Sequence, residues 1–195
     1  MKSHGAICTK EELKNYFRED RNACFGKTSV NFEDKLRKPF KQKLYKYFKY
    51  FRKYDYYCHK RDSSKNFLLS KVYSLVVKYC DIIKNNISLK INIEMSSGCI
   101  GKNVRICHPN VILNGIIGDS CVFHGNNVLG NKKTGDSDAR PKLGKNVDVG
   151  IGAMIIGDVT IADNCIIGAG AVVTKSFTEP GSVIVGVPAR KIAGE

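Results

Sequence analysis

Tryptophan is absent from this chain of 195 residues, and none of its nine tyrosines lies beyond Tyr79. Acidic residues are scarce beside basic ones, 18 Asp and Glu against 32 Lys and Arg, a formal net charge of +14. A long hydrophobic run is also missing. The most apolar stretch, around Val72, is interrupted by Lys71 and Lys78, well short of the roughly 20 apolar residues that a membrane-spanning helix needs. No basic, apolar, small-residue leader pattern opens the chain, so a cytoplasmic protein is expected. The eight cysteines contain no C-x-x-C pair, which disfavours a zinc site and leaves reduced, partly buried thiols as the expectation. Strong positive charge favours polyanions, but no helix-turn-helix or other nucleic-acid motif appears, so nucleic acid is not the expected partner.

What is present is a six-residue beat. Leu143, Val149, Ile155, Ile161, Ile167 and Val173 are each six apart, and Val147, Ala153, Val159, Cys165, Ala171 and Phe177 follow each of them by four. A helix repeats near 3.6 and a half-buried strand at 2. A period of six, with Gly, Asp and Asn between the apolar points, predicts a parallel β-helix in which each hexapeptide supplies one short strand and one corner. Cys121 also falls on an interior point of the beat. Upstream, Ile100, Ile106 and Ile112 keep the spacing, as do Ile117, Phe123 and Leu129, with one residue missing between Ile112 and Ile117. That gap predicts a tightened corner. Between Leu129 and Leu143 the spacing widens to 14, and residues 131–142 (NKKTGDSDARPK) read as a loop thrown out of the coil, where binding chemistry tends to sit.

Charge, aromatics and period all change near residue 90. Residues 1–92 carry 22 Lys and Arg against 9 acids, whereas residues 93–195 carry 10 against 9. Two domains are therefore expected, a basic, Tyr-rich α-helical domain at 1–90 and a β-helix at 91–195. Within the first, Glu11–Arg21, Glu33–Lys53 and Asn66–Lys84 read as helices, with Pro39 marking a start or a kink.

The string from Ile100 to Ile192, with HPNVILN, FHGNNVLGN, IIGAGAVVTK and the closing VGVPARKI, resembles the hexapeptide-repeat acyltransferases. Within them it is similar to the serine acetyltransferase-like branch, especially the capsule, colanic acid and O-antigen O-acetyltransferases. The resemblance implies a left-handed parallel β-helix, a homotrimer, and acetyl-CoA as donor with no metal. A hydroxyl attacking a thioester needs a base, and a neutral imidazole suits that task. His4 and His59 lie in the helical part. His108 and His124 lie in the β-helix, and because Phe123 starts one full coil beyond Ile106, their imidazoles are expected at one corner about 5 Å apart in height.

By motif match, His108 is the general base, His124 assists or holds the acceptor, and Glu94, matched across a one-residue gap, orients the base. The resemblance likewise puts Gly130 and Asn131 near the thioester, Ile151, Gly152 and Ala169 along the pantetheine arm, and Thr174, Lys175 and Arg190 near the nucleotide. Serine acetyltransferases carry an Asp where this chain has Cys107 and a His where it has Arg140, which argues against serine. The expected acceptor is accordingly a sugar hydroxyl of a bacterial surface polysaccharide or its lipid-linked precursor. Serine O-acetyltransferase is the alternative, and a non-catalytic trimeric polyanion-binding module is the alternative of another class. The basic, aromatic stretch from Lys35 to Arg61 would recruit an acidic glycan, or its precursor on an anionic membrane surface, through Lys46, Lys49, Arg52 and Lys53.

Overall fold

The computed structural model describes residues 7–27, 29, 38–133 and 139–192. They form two compact units, Met1–Ile91 and Asn92–Glu195. The first is helical. Helix α1 (Lys10–Phe25) begins at Thr9, whose hydroxyl accepts the Glu12 N–H at 3.1 Å while the Glu12 carboxylate accepts the Thr9 N–H at 3.0 Å. This reciprocal cap satisfies two amides that the first turn leaves open. Gly26 ends the helix in the left-handed region at φ +73°. Helix α2 (Pro39–Ser63) has Pro39 in its first turn, where a missing N–H costs nothing, so Pro39 is a start and not a kink. Residues 33–37 of the expected second helix lie outside the described residues. Helix α3 (Phe67–Ile91) runs seven residues beyond the expected Lys84.

The basic stretch is only partly a surface. Tyr47, Phe48, Phe51 and Tyr56 are buried, and Arg52, expected to face solvent, is fully buried with its guanidinium on Asp20 at 2.9 and 3.2 Å. Its cation also lies 4.5 Å from the Tyr16 ring centre. Part of the aromatic set interleaved with the cations thus belongs to this unit's core, while Tyr45, Tyr50, Tyr54 and Tyr57 stay partly exposed. Among the described residues, no helix is long and apolar enough to cross a membrane.

The second unit is a left-handed parallel β-helix of hexapeptide repeats. Its strands are β1 (Ile93–Met95), β2 (Arg105–Ile106), β3 (Val111–Leu113), β4 (Ile116–Ile117), β5 (Val122–Phe123), β6 (Val128–Gly130), β7 (Lys142–Leu143), β8 (Asp148–Val149), β9 (Met154–Ile156), β10 (Thr160–Ile161), β11 (Ile166–Ile167), β12 (Val172–Val173), β13 (Val183–Val185) and β14 (Arg190–Ile192). They stack as three faces, β1-β3-β6-β9-β12, β4-β7-β10 and β2-β5-β8-β11-β13, with β14 closing the last antiparallel to β13. Phe123 pairs with Ile106 on one side and Val149 on the other. Thus each coil repeats the previous one a strand spacing away, about 4.8 Å.

Every aliphatic residue of the beat from Leu143 to Val173 is buried, each such side chain stabilising by roughly 1.5–3 kcal/mol. Upstream the expected register is off by one. Ile112 points outward, and Leu113 is the fully buried residue that pairs with Leu129. The corner after Ile106 therefore carries one extra residue and the next corner is shortened, whereas the sequence pattern had suggested only a shortening. Asn residues hold positive φ at several corners, among them Asn126, Asn146 and Asn164. Their amides bond from coil to coil, as in Asn146 to Asn164 at 3.1 Å and Asn110 to Asn126 at 3.0 Å.

Candidate active site

The lengthened corner between β2 and β3 is Cys107, His108, Pro109 and Asn110. The extra residue pushes His108 into solvent, and it has no side-chain hydrogen bond among the described residues. In the next coil the same corner is His124, Gly125 and Asn126. With Ile106 beside Phe123, His108 falls beside Gly125, and the fit is close: a Cβ on Gly125 would lie 2.7 Å from the Cβ of His108. Gly125 also holds φ +114°, a conformation that side chains oppose. The two histidines thus share one corner, a coil apart.

Buried Asn127 fastens that corner. Its Oδ1 accepts the Gly125 N–H at 2.9 Å and its Nδ2 donates to the Gly150 carbonyl at 2.8 Å. The His124 Nε2 lies 2.9 Å from Oδ1 of Asp148. Asp148, Gly125 and Asn127 were not anticipated. Asp148 reaches His124 only because the coil that spans the 131–142 loop brings β8 beside β5, a register that the six-residue beat alone does not reveal.

Further coils continue the corner. The registers of Phe123 with Val149, and of Ile167 with both Val149 and Ile184, carry the column from His108 and Gly125 to Ile151 and then Ala169. Gly152 donates to the Gly125 carbonyl and Gly170 to that of Ile151, both at 2.9 Å. Ile151 is half exposed at 49%. His108, Ile151, Gly152 and Ala169 are therefore brought together along one edge. At the end of the prism, Thr174, Lys175 and Arg190 line a pocket of about 510 Å³ together with Phe177, Pro188, Ala189 and Lys191. Lys191, which adds a third cation there, was missed; it is paired with Glu179.

Glu94 and Gly130 lie elsewhere. Glu94 is on β1, opposite Ile112, and no hydrogen bond joins it to His108 among the described residues. It shares a shallow pocket of about 270 Å³ with Ser96, Asn114 and Gly130, where the Ser96 hydroxyl donates to the Asn114 Oδ1 and the Asn114 Nδ2 donates to the Asn131 Oδ1. Gly130 lies five residues along from Gly125, or about 16 Å of extended chain. Within one chain the Gly130 and Asn131 edge and the His108 corner are opposite ends of one face. Among the described residues, no group of three or more His, Cys, Asp or Glu is placed to hold a metal.

Residues 140–175 match the family model for the bacterial transferase hexapeptide, six repeats. Serine acetyltransferase 3, mitochondrial, of Arabidopsis thaliana is 34% identical over 122 residues, 58% of this chain and 30% of that protein. The serine acetyltransferase of Synechococcus elongatus is 33% identical over 108 residues, 53% of this chain and 44% of its own length. The chain thus spans less than half the length of these curated relatives. The crystal structure of the Neisseria gonorrhoeae serine acetyltransferase in complex with serine aligns with a TM-score of 0.67 at 20% identity, over 94% of this chain and 70% of that one.

These relatives overturn the polysaccharide expectation, together with its carbohydrate partner. In the sequence, the HPNVILN and FHGNNVLGN segments point to a sugar acceptor, Cys107 and Arg140 point away from serine, and the basic helices read as a glycan-recruiting surface. Burial of Arg52 takes one of the four cations off that surface, and the likeness of fold extends over 94% of this chain.

Proposed function

We propose that this chain catalyses acetyl transfer from acetyl-CoA to the hydroxyl of serine. Acetyl-CoA supplies an activated acetyl thioester. The observation that carries this reading is the column of His108, Gly125, Ile151 and Ala169 down one corner, in a chain similar to several curated proteins named serine acetyltransferases. His108 stands exposed at the head of that column, where it takes the proton of the attacking hydroxyl as general base and returns it to the departing thiolate. Backbone groups of the corners below line the pantetheine arm. Lys175, Arg190 and Lys191 offer cations to the phosphates at the far end.

The separation of the Gly130 edge from the His108 corner supports a site completed by a second copy, in a homotrimer where one chain's corner faces its neighbour's edge. Gly130 and Asn131 then contribute from the neighbour, next to the thioester. Cys107 and Arg140 differ from the Asp and His expected for serine, so other groups hold the amino acid.

Purified protein given acetyl-CoA and L-serine should release CoA thiol in step with O-acetylserine detected by mass spectrometry. A His108→Ala protein should lose about 10²–10⁴-fold in kcat, the usual contribution of a positioned base. Absence of serine-dependent CoA release from correctly folded protein would refute the reading.

A further inference from the structure

The hydrogen bond between His124 and Asp148 has no counterpart among the residues assigned so far. Asp148 lies on β8 beside Val122 of β5, one coil beyond His124, and meets Nε2 at 2.9 Å. Both side chains are nearly half exposed, at 44% and 46%. An exposed pair of this kind adds little to stability, at most about 1 kcal/mol. What it does set is the proton arrangement of the ring. An ionised carboxylate can only accept, so Nε2 carries the hydrogen, and the neutral ring then presents Nδ1 as an acceptor. Nδ1 has no partner among the described residues.

The backbone around the ring is also held. The His124 N–H donates to the Val149 carbonyl at 3.1 Å, and the next amide, that of Gly125, is taken by buried Asn127. Gly125 in turn abuts His108. A ring with a set tautomer therefore stands at a fixed backbone position, in the corner that holds His108.

We infer that Asp148 is a positioning residue that locks His124 in its Nε2–H tautomer, so that Nδ1 accepts a hydrogen bond from a donor on the acceptor substrate. Under the serine reading, on which this substrate assignment rests, that donor is the serine ammonium. The assignment also gives the amino acid a polar contact on a chain that has Cys107 in place of an acid.

Long-range proton–nitrogen NMR of the full ¹⁵N-labelled chain at pH 8 tests the first part, with the His124 signals identified by their loss in His124→Gln. Wild-type protein should show only the Nε2–H pattern at His124. Asp148→Asn, whose amide can donate as well as accept, should show both tautomers, and Asp148→Glu should restore one. Kinetics test the second part: Asp148→Asn should raise the KM for serine about tenfold, with kcat and the KM for acetyl-CoA changed less than about twofold. An unchanged tautomer in Asp148→Asn, or an unchanged KM for serine, would overturn the proposal. Should wild-type protein turn over no serine at all, the serine reading fails by itself, and the tautomer comparison still decides the assignment of Asp148.

Discussion

A Cβ placed on Gly125 would come within 2.7 Å of the His108 Cβ, at a backbone φ of +114°. Gly125→Ala should thus do two things, strain the corner and displace the proposed base. Gly181 separates the two effects, because it also holds positive φ, at +73°, but a Cβ added there would meet open space. Melting temperatures of Gly125→Ala and Gly181→Ala should both fall, by an amount corresponding to about 1 kcal/mol or more. Only Gly125→Ala should also lose kcat, by at least about tenfold. A second residue-scale effect concerns Cys121, which is buried with its Sγ 3.2 Å from the Gly144 carbonyl. Burial pushes its thiol up to about 12. In the unfolded chain the thiol ionises near pH 9, while in the folded chain it stays protonated, so the unfolded state binds fewer protons between those values. Stability should then fall by about 1.4 kcal/mol per pH unit from pH 9 towards 12. Denaturant titrations across that range should show a shallower loss in Cys121→Ala.

Among the elements, the β-helix was legible and its upstream register was not. From Leu143 to Val173 each apolar point is separated by one corner of constant length, so the sequence spacing is the structural spacing. Between Ile106 and Ile117 one corner gains a residue and the next loses two, and the outward-facing Ile112 keeps the apolar beat while Leu113 takes the interior place. Both residues are aliphatic, so composition could not choose between them. The histidine corner was legible for a different reason: the register of Ile106 with Phe123 depends only on a whole coil, whose total length is unaffected by where residues are gained and lost within it. Asp148 was hidden behind the long loop. In the helices, charge misled, since Arg52 sits in a run of surface cations but is buried against Asp20. That pair gives an element-scale prediction. Asp20→Ala removes the two charge-assisted hydrogen bonds of a buried guanidinium, leaving it the weaker attraction of Asp55, and should cost about 3–5 kcal/mol in chemical denaturation monitored by helical circular dichroism. Replacing both partners with apolar residues of similar volume should be far milder, which would show that the loss comes from burying the guanidinium without its hydrogen-bonded carboxylate.

For the molecule as a whole, the division of proposed site groups between two edges has a consequence that a single-chain site could not produce. A Cβ added at Gly130 would meet open space, and its φ is not positive, so a Gly130→Arg chain should fold while its long side chain fills the pocket shared with Glu94 and Ile112. That variant keeps His108 but blocks the opposite edge. A His108→Ala chain has the reverse defect. Each alone should be inactive. If sites form between neighbouring copies of a closed trimer, co-folding the two variants in equal amounts pairs an intact corner with an intact edge in some sites. Random assembly restores roughly a quarter of wild-type activity, measured as serine-dependent CoA release per chain. Light scattering should report a trimer of the 21.7 kDa chain for the active species. If each chain carried a complete site, the mixture would stay inactive, because every chain would hold one disabling change. Recovery of activity would therefore establish both that the site is shared and that the His108 corner and the Gly130 edge are the halves that meet.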